Sequence, residues 1–64
     1  MEIKDIKKLD KKNRLSNYQL NKLKKHSKHH SLNHMKKMIN LMTRDKNKLS
    51  FVKSHNETMK KIGK

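Results

Sequence analysis

Five histidines stand out as side chains whose type and spacing could do chemistry. His26, His30 and His34 recur every four positions, with His29 among them and His55 further along. On one uninterrupted helix that spacing stacks three imidazoles along a single face, and two neutral imidazoles so placed can chelate zinc or copper. A structural tetrahedral site asks for four ligands. No Cys, Asp or Glu stands inside the cluster to complete one, and Ser31 threatens the helix between its members. The expectation is therefore no cofactor and no bound metal, with His26, His30 and His34 the candidates should an ion bind. A milder reading makes the cluster a pH-tunable extension of a basic surface, because histidine titrates near neutrality and an adjacent phosphate favours its charged form. His55 interrupts an apolar face, where a hydrogen-bonded interfacial imidazole is a commoner role than a ligand.

The other chemistry is ionic. The 64 residues carry 19 Lys plus Arg against 5 Asp plus Glu, a formal net charge of +14 with histidine neutral. A face that serves only solubility intersperses both signs, so an excess of this size points to a polyanion as partner. The charge is spread evenly: residues 1–28 hold ten cations and three acids, and residues 29–64 hold nine and two. Lys22, Lys24, Lys25 and Lys28 are expected to meet phosphates from the His-rich segment. Lys36, Lys37, Arg44, Lys46, Lys48, Lys53, Lys60 and Lys61 are expected to do so from the C-terminal half, where they avoid the apolar stripe. Lysine outnumbers arginine 17 to 2. Lysine is a point charge, whereas the planar arginine fork reads guanine through two bonds, so attachment without sequence preference is implied. One tyrosine and one phenylalanine are too few for a base-stacking platform. Phe51 reads as core, and Tyr18 as packed beside Leu15 and Lys22.

The elements that carry these residues must be found from caps and periodicity, because there is no proline and the one glycine is Gly63. Ile3, Ile6 and Leu9 lie three apart and predict a narrow amphipathic helix over Glu2 to Lys12. Residues 1–14 thus form a basic, weakly helical arm, partly disordered when unbound. Ser16 can cap a second helix carrying Tyr18, Leu20 and Leu23 into the histidine run, over residues 15–30. Ser31 can cap a third, in which Leu32, Met35, Met38, Ile39 and Met42 follow one helical face. Residues 43–48 are polar and turn-prone. Ser50 caps a last helix with Phe51, Val52, His55, Met59 and Ile62 at helical spacing before Gly63, which can close it in the left-handed conformation. Residues 31–64 therefore predict a helical hairpin with Leu32, Met38, Phe51 and Met59 turned inward. The fold class is small all-α, two to three short helices ending in that hairpin. Strands are disfavoured, since nothing alternates with period two.

Apolar residues make up 30% of the chain and there is no cysteine, so a large independent core and a disulfide staple are both excluded. A catalytic constellation needs a rigid supporting shell, and neither an enzyme nor a small-molecule site is expected. No apolar run is long enough to span a bilayer, and no secretory signal is read. A membrane-active peptide is disfavoured by narrow apolar faces and the lack of tryptophan. A methionine-rich stripe on a lone hairpin would stay half exposed, which favours a homodimer or docking on a larger protein assembly.

The block HSKHHSLNHMKKMINLMTRDKNKLSFVKSHNETMKKIGK, residues 26–64, resembles a short basic, His- and Met-rich helical tail module of uncharacterised proteins of large DNA viruses. The likeness is carried by His30-Ser31, His34-Met35, Met38, Leu41-Met42, Ser50-Phe51, His55, Met59 and Lys60 to Lys64. Such proteins often have a glycine in the connector, where this chain has Asp45 to Asn47. The resemblance implies a viral origin, a location in the virion or the host cytoplasm or nucleus, neither secreted nor transmembrane, and no catalytic residues. Composition and resemblance together lead to the expectation of a small nucleic-acid-binding protein that grips phosphates, in genome packaging or as a nucleoid component. The alternative is an assembly or cement peptide ordered on a larger particle, a capsid or a ribonucleoprotein.

Overall fold

The computed structural model describes residues 1–63; Lys64, the last point of likeness noted above, lies outside them. Four helices follow in order: α1 (Ile3–Leu9), α2 (Asn17–His26), α3 (Leu32–Thr43) and α4 (Phe51–Lys61). The all-α expectation holds, with four helices rather than two or three.

Serine starts three of them. Ser16 Oγ accepts from the Gln19 amide at 3.2 Å while Gln19 Oε1 accepts from the Ser16 amide at 2.9 Å. Two orphan donors of the first turn are thereby satisfied reciprocally. Ser31 Oγ accepts from the His34 amide and Ser50 Oγ from the Lys53 amide. The turns are made by asparagine. Asn13 (φ 54°) and Asn47 (φ 58°) are left-handed, a conformation that its short polar side chain tolerates, so the connector before α4 reverses without a glycine. The Leu49 amide then donates to the Leu41 carbonyl at 3.0 Å and closes that connector onto α3. At the far end Gly63 has φ 87°, and the amides of Ile62 and Gly63 both donate to the Thr58 carbonyl.

The N-terminal stretch is no loose arm. α1 packs on α2 and α3, and Ile6 is fully buried. One core gathers Ile6, Leu15, Leu20, Leu23, Met35, Met38, Ile39 and Met42. The methionine stripe of α3 is therefore covered by its own chain, and the flexible thioethers suit an irregular gap between short helices. The turn between α1 and α2 rests on Asp10. Its buried carboxylate accepts from the Arg14 amide at 2.9 Å and the Leu15 amide at 2.8 Å, which offsets the cost of burying a charge.

The helical hairpin differs from expectation in which face of α4 it buries. Ser54 and Thr58 are fully buried, with Phe51 and His55 half-buried beside them. Val52, Met59 and Ile62 stay 60%, 42% and 42% exposed, and Leu32 of α3 is also exposed. Positions 51, 54, 55 and 58 share one helical face, while Val52 and Met59 fall roughly a quarter turn away. Two short side chains let α4 lie close to α3, and the Thr58 hydroxyl is satisfied within the helix by the Ser54 carbonyl at 2.8 Å.

Replacing Asp10 by Ala strands the buried Leu15 amide and the part-buried Arg14 amide. It should cost about 1–3 kcal/mol and lower the thermal midpoint by about 4–8 °C for each kcal/mol. Asp45→Ala, at an exposed and solvent-screened carboxylate, should lower the midpoint far less. Thermal melts followed by circular dichroism compare the two; equal effects would show that the first turn does not depend on the Asp10 carboxylate.

Candidate functional site

The break at Ser31, which argued against a shared histidine site, is what assembles one. His26 is the last residue of α2, His30 lies in the short linker, and His34 sits in the first turn of α3. From the other side α4 supplies His55. The ring centroids of His26 and His30 are 4.2 Å apart, those of His26 and His55 4.8 Å. His30 and His34 stack at 3.9 Å, with planes 9° apart. The remaining three pairs lie between 5.3 and 5.7 Å. One ring nitrogen from each of the four falls within 4.8 Å of all the others. His29 points elsewhere and is exposed.

This junction is partly dry. His34 is fully buried, and His26 Nε2 is buried without a hydrogen-bond partner. Phe51 presents its edge to the His26 ring at 5.2 Å, and Lys22 Nζ lies 4.8 Å from the Phe51 centroid. Burial, and after it the charge that His30, His55, His34 and His29 would carry, pushes the His26 pKa from 6.5 down to about 4. Burial first, then His55 and His29, lowers that of His30 too. Desolvation and mutual repulsion thus disfavour the charged forms of His26 and His30, which makes these two poor pH-tunable extensions of the basic surface near neutrality. His55 is the member that the sequence places apart from the cluster, as an interfacial imidazole. Its signal was register: it lies four residues after Phe51 and three before Thr58, on the face that α4 buries.

The cations are arranged by a shortage of acids. Asp5 and Asp10 accept from backbone amides. Asp45 binds Lys12 at 2.7 Å and Arg14 at 2.7 Å, joining the α1–α2 turn to the connector before α4. The Lys12 hydrogen bond, then the charges of Lys12 and Arg14, hold its carboxyl below the usual range. Glu2 faces Lys24 at 3.7 Å and Glu57 faces Lys60 at 3.9 Å. Of the twelve cations expected to meet phosphates, the other ten have no acidic partner among the described residues.

Their settings differ. Lys25, Lys28, Lys36, Arg44, Lys46, Lys48, Lys53, Lys60 and Lys61 are exposed, and Lys22, Lys24 and Lys37 are half-buried. Lys22 is drawn onto aromatic rings: Nζ donates to the Tyr18 hydroxyl at 3.4 Å and lies over Phe51. Tyr18 itself is 71% exposed rather than packed, since it offers its ring to a cation and not to the core. Lys36 and Arg44 share an open cleft with Lys11 and Lys12, floored by Leu9, Ile39 and Thr43. Lys37, Arg44 and Lys61 border a second hollow beside Leu41 and Leu49. Lys11 and Lys12 were not among the expected contacts; they join because α1 docks on α3. No helix of the described residues is long and apolar enough to cross a membrane.

Folding holds the His26 pKa below its unfolded value, so protons favour the unfolded chain. The stability tied to His26 is whole above about pH 6.5 and is lost as pH falls towards about 4. With chelator present, helicity should fall across that window, and less steeply in His26→Gln; equal slopes would show that His26 is not desolvated.

Compared with known proteins, the chain matches no family, no curated protein and no solved structure.

Proposed function

We propose that this chain is a small basic protein that binds nucleic acid through its backbone phosphates without reading sequence, as a packaging or nucleoid component does. The observation that carries this reading is the exhaustion of its carboxylates. The five acidic side chains are all committed, to backbone amides or to Lys12, Arg14, Lys24 and Lys60, while ten of the expected contact cations face no acid among the described residues. Such a surface repels itself and is relieved by a polyanion, whose condensed counterions are released as phosphates are neutralised. The cleft lined by Lys11, Lys12, Lys36 and Arg44, with Asp45 the one acid in it, offers a concentrated point of attachment. Lysine's predominance supports charge recognition over base recognition.

A second reading, docking on a larger particle, has its own support in the exposed Val52, Met59 and Ile62 of α4. Val52→Ser with Met59→Ser should leave the core and duplex binding unchanged. In the docking reading the same pair of changes abolishes recovery with a nuclease-treated particle.

Mobility shifts on two unrelated duplexes across a salt series test the first reading. Both duplexes should bind alike, and log affinity should fall against log salt with a slope of about −0.9 for each phosphate contacted. Lys36→Gln with Arg44→Gln should weaken both equally and flatten the slope by about 2. Asp45→Asn, which releases Lys12 and Arg14, should tighten binding and steepen it. Absence of binding at low salt, or a strong preference for one duplex, overturns the reading.

A further inference from the structure

We infer that His26, His30, His34 and His55 form a four-imidazole site for a borderline transition-metal ion, zinc foremost, that closes the junction of α2, α3 and α4. The inference is independent of nucleic-acid binding and rests on the geometry of the four rings.

A tetrahedral ion with zinc–nitrogen bonds of about 2.0–2.1 Å holds its four nitrogens about 3.4 Å apart and the ring centroids about 5 Å apart. All six centroid separations here lie between 3.9 and 5.7 Å, around that value. The nitrogens lie within 4.8 Å of one another; to reach tetrahedral spacing they draw together, and the stacked His30 and His34 rings turn apart so that both lone pairs face one ion.

The donor chemistry selects the ion. Neutral imidazoles suit zinc, copper, nickel or cobalt, whereas calcium and magnesium take oxygen ligands. Four protein ligands leave no open position, the mark of a structural rather than a hydrolytic zinc site. His26 Nε2 gives a reason of its own, since it is buried with no hydrogen-bond partner and a metal would take its lone pair. The location fits as well. Among the helices, α1 packs on α2 and α3, and α3 on α4, while α2 meets α4 through His26 against Phe51 and His55. A metal there would join the two halves of a chain that has no cysteine to do so.

The test is titration of the chelator-stripped full chain with zinc chloride, followed by calorimetry and thermal melting, with cobalt(II) as a spectroscopic probe. One zinc should bind per chain, raise the melting temperature and give cobalt the intense visible bands of a tetrahedral complex. His55→Gln should weaken zinc by more than the roughly 10–100-fold that outer-sphere partners cost, and His29→Gln should leave it unchanged. No stoichiometric binding at micromolar zinc, or equal losses in the two variants, overturns the site. Should His55→Gln fail to fold without metal, cobalt and the unaltered chain decide: tetrahedral bands support the site, and the weak spectrum of octahedral cobalt overturns it.

Discussion

Five carboxylates against nineteen cations is the constraint on which the rest of this structure depends. With so few acids, surface pairing reaches only Lys12, Arg14, Lys24 and Lys60 among the described residues. Asp10 is buried to hold the first turn, Asp5 caps α1, and Asp45 clamps Lys12 and Arg14 across two connectors. What remains outside is positive almost everywhere, and like charge at short range opposes compaction. The fold has to be held from within, by groups that carry no net charge.

Those groups are few and small. Eight buried apolar residues make the core, three of them methionines, and α1 contributes a single fully buried isoleucine. α4 adds mainly Ser54 and Thr58, which contribute close approach more than apolar area. A core of this kind defines α1, α2 and α3 together but holds α4 chiefly through α3. The four imidazoles meet where that arrangement is thinnest. Close together and at least half-buried, they are poorly placed as a basic surface and well placed as ligands. The outward lysines and the inward histidines are in this account two separate devices, one facing a polyanion and the other closing the fold.

Much of the local structure was legible in the sequence because its causes are local. Ser16, Ser31 and Ser50 cap where a hydroxyl precedes a periodic apolar run, and Gly63 closes α4 because it alone takes φ 87° without a Cβ penalty. The methionine face of α3 followed from spacing. What escaped depends on contacts between elements. α1 reads as a weak helix by itself and becomes ordered structure only through Ile6 against α2 and α3. Val52 and Met59 are greasier than Ser54 and Thr58, yet lose the interface because close helix approach favours small side chains over large ones. The histidines show both sides: the four-residue spacing was visible, while its convergence needed a helix break at Ser31 and a fourth ring from α4, which begins only at Phe51. Lys11 and Lys12 joined Lys36 and Arg44 for the same reason, through docking that no periodicity announces.

The central claim is that the metal junction and the cationic surface act separately, one on the inside and one on the outside of the same small fold. Thermal melting of the chain with zinc, with a short duplex and with both tests it most directly. Ligands that bind the folded state at independent sites add their stabilisation, so the account predicts that the two shifts sum. A duplex that strips the zinc effect, zinc that cancels the duplex effect, or a melting curve indifferent to both would contradict it.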